Sequence, residues 1–186
     1  MIARAASILV CSAMLCGGAL AGEPKPAPDA SPEHIAALIA RLDGASMSER
    51  VRAKGAYEEL VAIGKPAIPQ LIEAAADKRP WVRVWTGAAL AQSRDPRAVE
   101  PLLALLNDSL PEARTIATWH AAGLADLDPR IAPAVARNLR DPSPDVRKWA
   151  DRAIRERLKY PRCAEEIDLS LRCDLPPARM LAFKLL

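Results

Sequence analysis

Two histidines, His34 and His120, and four cysteines, Cys11, Cys16, Cys163 and Cys173, are the residues of this sequence best suited to hold a metal or act as nucleophiles. Their spacing serves neither chemistry. Neither histidine is followed by glutamate, no His-x-x-x-His occurs, and neither lies near Cys163 or Cys173 in sequence, so no tetrahedral nitrogen and sulfur set is implied. No serine stands in a Gly-x-Ser-x-Gly elbow, and no glycine-rich phosphate loop is present. The residue types therefore predict no catalytic group, no metal and no cofactor. A protein that binds, rather than an enzyme, is the expectation.

The setting in which those cysteines act is read from the N-terminus. Arg4 precedes an apolar run from Ala5 to Leu20, and Ala19-Leu20-Ala21 has the small-x-small pattern of a cleaved export leader. Residues 1–21 are thus expected to be a signal peptide and 22–31 a flexible Pro/Ala-rich linker. Cleavage would leave no stable membrane anchor and a periplasmic or extracellular protein. It would also remove Cys11 and Cys16. Cys163 and Cys173, alone in an oxidising compartment, are then expected to close a short loop as a disulfide. The formal charge of +3, or +2 after cleavage, is too small to name nucleic acid as a partner.

The elements that position everything else are repeats. Pro80-Trp81-Val82-Arg83, Pro111-Glu112-Ala113-Arg114 and Pro144-Asp145-Val146-Arg147 open alike, and Val51-Arg52 keeps part of the pattern. Arg52, Arg83, Arg114 and Arg147 are spaced 31, 31 and 33 residues apart. A second landmark holds the same frame: Lys65-Pro66-Ala67-Ile68, Asp95-Pro96-Arg97-Ala98 and Asp128-Pro129-Arg130-Ile131. Between landmarks the apolar residues recur at helical spacing, as in Val99, Leu102, Leu103 and Leu106. Each unit reads as two helices, A then B, and one such hairpin cannot bury its own apolar face. The fold class predicted is all-α, a short right-handed α-solenoid over residues 32–160. It would contain three A/B pairs, a fourth helix A and a capping helix from Pro32. Residues 161–186 are expected to be a C-terminal extension stapled by the disulfide.

Gly87-Ala88-Ala89-Leu90 and Asp95-Pro96-Arg97-Ala98-Val99 resemble the HEAT-like repeats of the phycobilisome-lyase type. The resemblance spans about residues 46–158 and implies the fold, because the shared residues are packing residues. It also implies an alternative function, that of an accessory lyase-like enzyme. Iron-dependent hydroxylases on similar repeats rely on His-Glu motifs, which this sequence lacks.

The four arginines are read as a structural ladder, pairing with Asp77, Asp108 or Asp141 or with neighbouring carbonyls across repeats. Trp85 and Trp149 are expected in the core, Trp81 as a candidate binding anchor. The basic run from Arg147 to Arg162 offers a second alternative, an anionic-polymer-binding face. By analogy with other HEAT solenoids the B helices would line a concave side. The predicted protein-binding residues are therefore Gln70, Glu73, Asp77, Leu105, Arg137 and Arg140, and the function predicted is an exported scaffold for another protein or peptide.

Overall fold

A computed structural model describes residues 28–44, 47–158 and 160–186, so the leader and most of the linker lie outside the described residues. Proline and aspartate punctuate the chain. Pro80, Pro111 and Pro144 each occupy the first position of a helix, where the ring fixes φ and the missing N–H would have had no partner. These helices are α4 (Pro80–Ser93), α6 (Pro111–Ala122) and α8 (Pro144–Glu156), preceded in the A layer by α2 (Met47–Ile63). The B layer holds α3 (Ile68–Ala74), α5 (Val99–Leu105) and α7 (Ile131–Arg137). A 3-10 turn precedes α3 and α5, so each Pro-containing landmark is the turn itself, and helix B begins at its end.

An N-terminal helix, α1 (Pro32–Ala40), is capped by the Ser31 hydroxyl, which accepts from the His34 N–H. It packs against α2 and α3, with Ile35 and Leu38 buried and His34 Nε2 2.8 Å from Glu59 Oε1. At the other end the stack continues past Tyr160. Helix α9 (Ala164–Leu171) packs on α7 as a fourth helix B, and α10 (Pro176–Leu185) packs on α8 and α9. What the sequence suggested as a stapled extension is a further turn of the solenoid.

The core is a continuous band of small and branched side chains between the two layers, running from Ile35 to Ala182. Alanine in the A helices lets the layers approach closely. Gly87 carries this furthest: a Cβ there would meet Leu105 Cδ1 at 2.7 Å. Burying Leu60, Ile68, Leu90, Leu102 and Leu139 stabilises by about 1.5–3 kcal/mol each.

Candidate functional site

The ladder arginines are built into the turns between repeats. Arg83 donates through Nε and Nη2 to both Asp108 carboxylate oxygens, at 2.6 and 2.8 Å, and through Nη1 to the Asp77 carbonyl at 2.8 Å. Arg114 repeats this with Asp141 (2.7 and 2.9 Å) and the Asp108 carbonyl (2.7 Å). Each guanidinium thus ties its own turn to the following one. Burial would raise the Asp108 carboxyl, but the Arg83 guanidinium and the Leu110 N–H outweigh it and hold it below the usual range. Arg147 donates to the Asp141 and Pro142 carbonyls at 2.7 and 2.8 Å. Arg52 departs from the pattern. It is exposed, and the carboxylate it would need, Asp77, is taken by Arg79 at 2.8 Å.

One member of the ladder escaped the sequence reading. Arg179 donates to the Cys173 carbonyl at 2.8 Å, the same six-residue reach that Arg83, Arg114 and Arg147 make. Pro176-Pro177-Ala178-Arg179 matches Pro80-Trp81-Val82-Arg83, and Ala178 is as buried as Val82. Cys173 therefore stands where the other turns carry Asp77, Asp108 and Asp141.

The same geometry corrects the expected disulfide. Cys163 and Cys173 are free thiols at opposite ends of α9. Eight helical residues rise about 12 Å, beyond the roughly 7 Å that a disulfide can bridge between Cα atoms. Cys163 points inward to the Ala132 carbonyl, and burial pushes its thiol up to about 11, so it is a packing residue rather than a nucleophile.

The expected B-face site is largely occupied by the protein itself. Leu105 is 3% exposed and belongs to the core, because it fills the space above Gly87; its assignment as a binding residue is corrected. Asp77 is held by Arg79, and that contact lowers its carboxyl to about 2. Arg140 donates to Glu166 Oε2 at 2.6 Å and to Ser170 at 3.1 Å, while Arg137 reaches Glu166 at 3.4 Å. These two fasten α9 to the end of α7 and the 3-10 turn that follows it. Gln70 donates to the Pro32 carbonyl at 3.2 Å, and Glu73 is exposed beside it. Several members of the basic run from Arg147 to Arg162 are likewise engaged: Arg152 pairs with Glu156, Arg155 with Asp151, and Arg162 donates to the Ala125 carbonyl.

The A layer carries a different feature. Side chains from α2, α4, α6 and α8 line an apolar groove of about 480 Å³: Tyr57, Trp81, Val84, Trp85, Ala88, Glu112, Thr115, Ile116, His120, Asp145 and Trp149. Its register explains it. Trp81, Glu112 and Asp145 are equivalent positions of successive repeats, as are Trp85, Ile116 and Trp149. Stacking the repeats brings each set into a row across the face. Tyr57 and Trp85 rings lie 5.5 Å apart, and the Trp85 indole N–H is buried without an acceptor. Beside the groove Trp149 meets Trp119 edge to face at 5.2 Å. Arg157 lies over Trp119 at 3.9 Å, and Arg152 sits between the two indoles at 4.9 and 5.1 Å. Gly123 makes room for this, since a Cβ there would meet Arg157 Nη1 at 2.8 Å.

His120 is a titratable group lining the groove. Burial pushes its imidazole below the ordinary value, and the nearby Arg157 charge acts in the same direction, so it is neutral at pH 7. A neutral imidazole can accept or donate a proton to a bound molecule. The groove thus combines flat aromatic walls, two rim carboxylates and one imidazole.

Paired helices, bridged turns and the Asp-Pro-Arg landmarks together define an α-solenoid of HEAT-like repeats, similar to those of phycobilin lyase subunits. The family described as HEAT repeats matches residues 35–122. Over 95 residues, 50% of this chain, the sequence is 34% identical to the bilin biosynthesis protein RpcF of Synechococcus sp. (strain WH8020). That match spans 44% of the relative, so the chain corresponds to less than half of its length. Among solved structures, the complex of CpcE and CpcF of phycocyanin lyase from Nostoc sp. PCC7120 superimposes with a TM-score of 0.65. The overlap covers 82% of this chain and 98% of that one at 20% identity, a likeness of fold. These findings correct the expectation of a plain scaffold without enzymatic activity. The named relatives are a bilin biosynthesis protein and a lyase, and they favour the lyase-like alternative.

Proposed function

We propose that this chain is a lyase-type HEAT-repeat protein that handles a bilin, with the A-layer groove as its ligand site and a second protein as its partner. The observation that carries the reading is the aromatic groove. Indole and phenol walls suit an extended conjugated ligand, and about 480 Å³ lies within the usual range of small-molecule sites. Glu112 and Asp145 at the rim can accept from pyrrole N–H groups, and Arg157 beside it can meet a carboxylate substituent. His120 would hold or move a proton at the bound chromophore. The partner is proposed because the matching fold is one half of a two-chain lyase complex.

The test is transfer. The chain is incubated with a bilin and a pigment apoprotein, with and without a candidate second HEAT chain, and covalent pigment is read by zinc-enhanced fluorescence after denaturing electrophoresis. Attachment or removal of pigment that falls on substitution Trp149→Ala or His120→Gln supports the reading. Pigment levels that never depend on this chain contradict it. The leader is part of the same proposal, with residues 1–21 directing export. N-terminal sequencing of the protein from its native host should begin at Gly22, and a start at Met1 would refute that point.

A further inference from the structure

A buried donor without an acceptor costs free energy in any fold, because water no longer satisfies it. Among the described residues two side-chain polar atoms are in that state, Trp85 Nε1 and the Thr86 hydroxyl. Thr86 is fully buried in the core, whereas Trp85 is a wall of the aromatic groove. The repeat does not require an indole there. Ile116 fills the equivalent position of α6 with a side chain that has nothing to satisfy. Packing alone therefore does not explain the Trp85 N–H, and an acceptor brought into the groove would remove its cost.

The surroundings narrow what that acceptor is. The Tyr57 ring lies 5.5 Å from that of Trp85, and Val84, Ala88 and Ile116 make the neighbouring wall apolar. The charged groups of the lining, Glu112 and Asp145, are acceptors themselves and are exposed. A neutral acceptor enters such a place at far lower cost than a carboxylate, which must shed its hydration. A carboxylate is better met by Arg157, exposed over Trp119 beside the groove.

We propose that the Trp85 indole N–H is a specificity-determining donor to a neutral carbonyl oxygen of the bound ligand. The N–H is closed off from water, so the Tyr57 and Trp85 rings part to present it. In a bilin the acceptor is a ring lactam carbonyl at one end of the conjugated chain. This assignment rests on the groove being the ligand site.

Free biliverdin titrated into the full chain tests it, with tryptophan emission and the indole N–H signals in NMR spectra followed together. Contacts to the Tyr57 ring identify the Trp85 signal without any substitution. That signal should move downfield at saturation, and equally with biliverdin dimethyl ester, which has no carboxylate. Trp85→Phe should weaken binding by roughly tenfold, the worth of about one hydrogen bond. Trp149→Phe, which trims the same ring area, should weaken it only a few-fold. Saturable binding with an unmoved Trp85 signal overturns the assignment and leaves the groove reading standing. Equal losses in the two variants do the same, since stacking alone would account for them. A shift with the free acid only makes the acceptor a carboxylate and also overturns it. No saturable binding removes the groove reading and this assignment together.

Discussion

Arg114 grips both oxygens of the Asp141 carboxylate, at 2.7 and 2.9 Å, from a distance of 27 residues in sequence. The pair is mostly shielded, 13% and 6% exposed, and it joins the third repeat to the fourth. Bidentate geometry makes the pair specific as well as strong.

Removing one partner of such a pair leaves the other charge buried and unmatched. Arg114→Ala should therefore destabilise by about 3 kcal/mol, measured by urea unfolding. Arg114→Lys should recover only part of this, because an ammonium cannot fork across two oxygens while reaching the Asp108 carbonyl. Full recovery by lysine would show that charge alone matters here.

Cys173 interrupts the ladder, and the interruption is testable by repair. Arg147 bonds two carbonyls but has no carboxylate partner among the described residues. Cys173→Asp should supply one and raise stability by about 0.5–1 kcal/mol, whereas Cys173→Ser should change little. A destabilised Asp variant would mean that the turn before α10 does not present this side chain to Arg147.

Stability should fall in two separate acid windows. Asp77 and Asp95 are lowered from 3.8 to about 2, chiefly by the Arg79 and Arg97 side chains that bond them. Their contribution is complete above about 4 and disappears as pH falls toward 2. His120 acts earlier. Its folded value lies below the ordinary 6.5, so the unfolded chain takes up the proton first and stability declines as pH drops through that value. Denaturation midpoints at pH 7, 5 and 3 should show both steps, with His120→Gln removing the first and Asp95→Asn reducing the second.

The fold was legible because two landmarks hold one register, and packing residues must recur where identical hairpins stack. Its C-terminal end was not, because Cys173 replaces the aspartate that marks each turn. Pro176 to Arg179 still carried the signal, 32 residues after Arg147. The groove was missed for another reason. Trp85 and Trp149 sit on what a single helix displays as a core stripe, and only the lateral row of equivalent residues from three repeats reveals a shared surface. Leu105 failed oppositely: its position looks outward on a helical wheel, but the bare backbone at Gly87 draws it inward.

The aromatic A-layer groove, not the B face, is proposed to receive the ligand. Titration of the chain with a free bilin, followed by long-wavelength absorbance and quenching of tryptophan emission, tests this directly. Saturable binding should be lost in Trp85→Ala combined with Trp149→Ala and retained in Glu73→Lys, on the B face. No saturable change, or loss on substituting Glu73 but not the tryptophans, would contradict it.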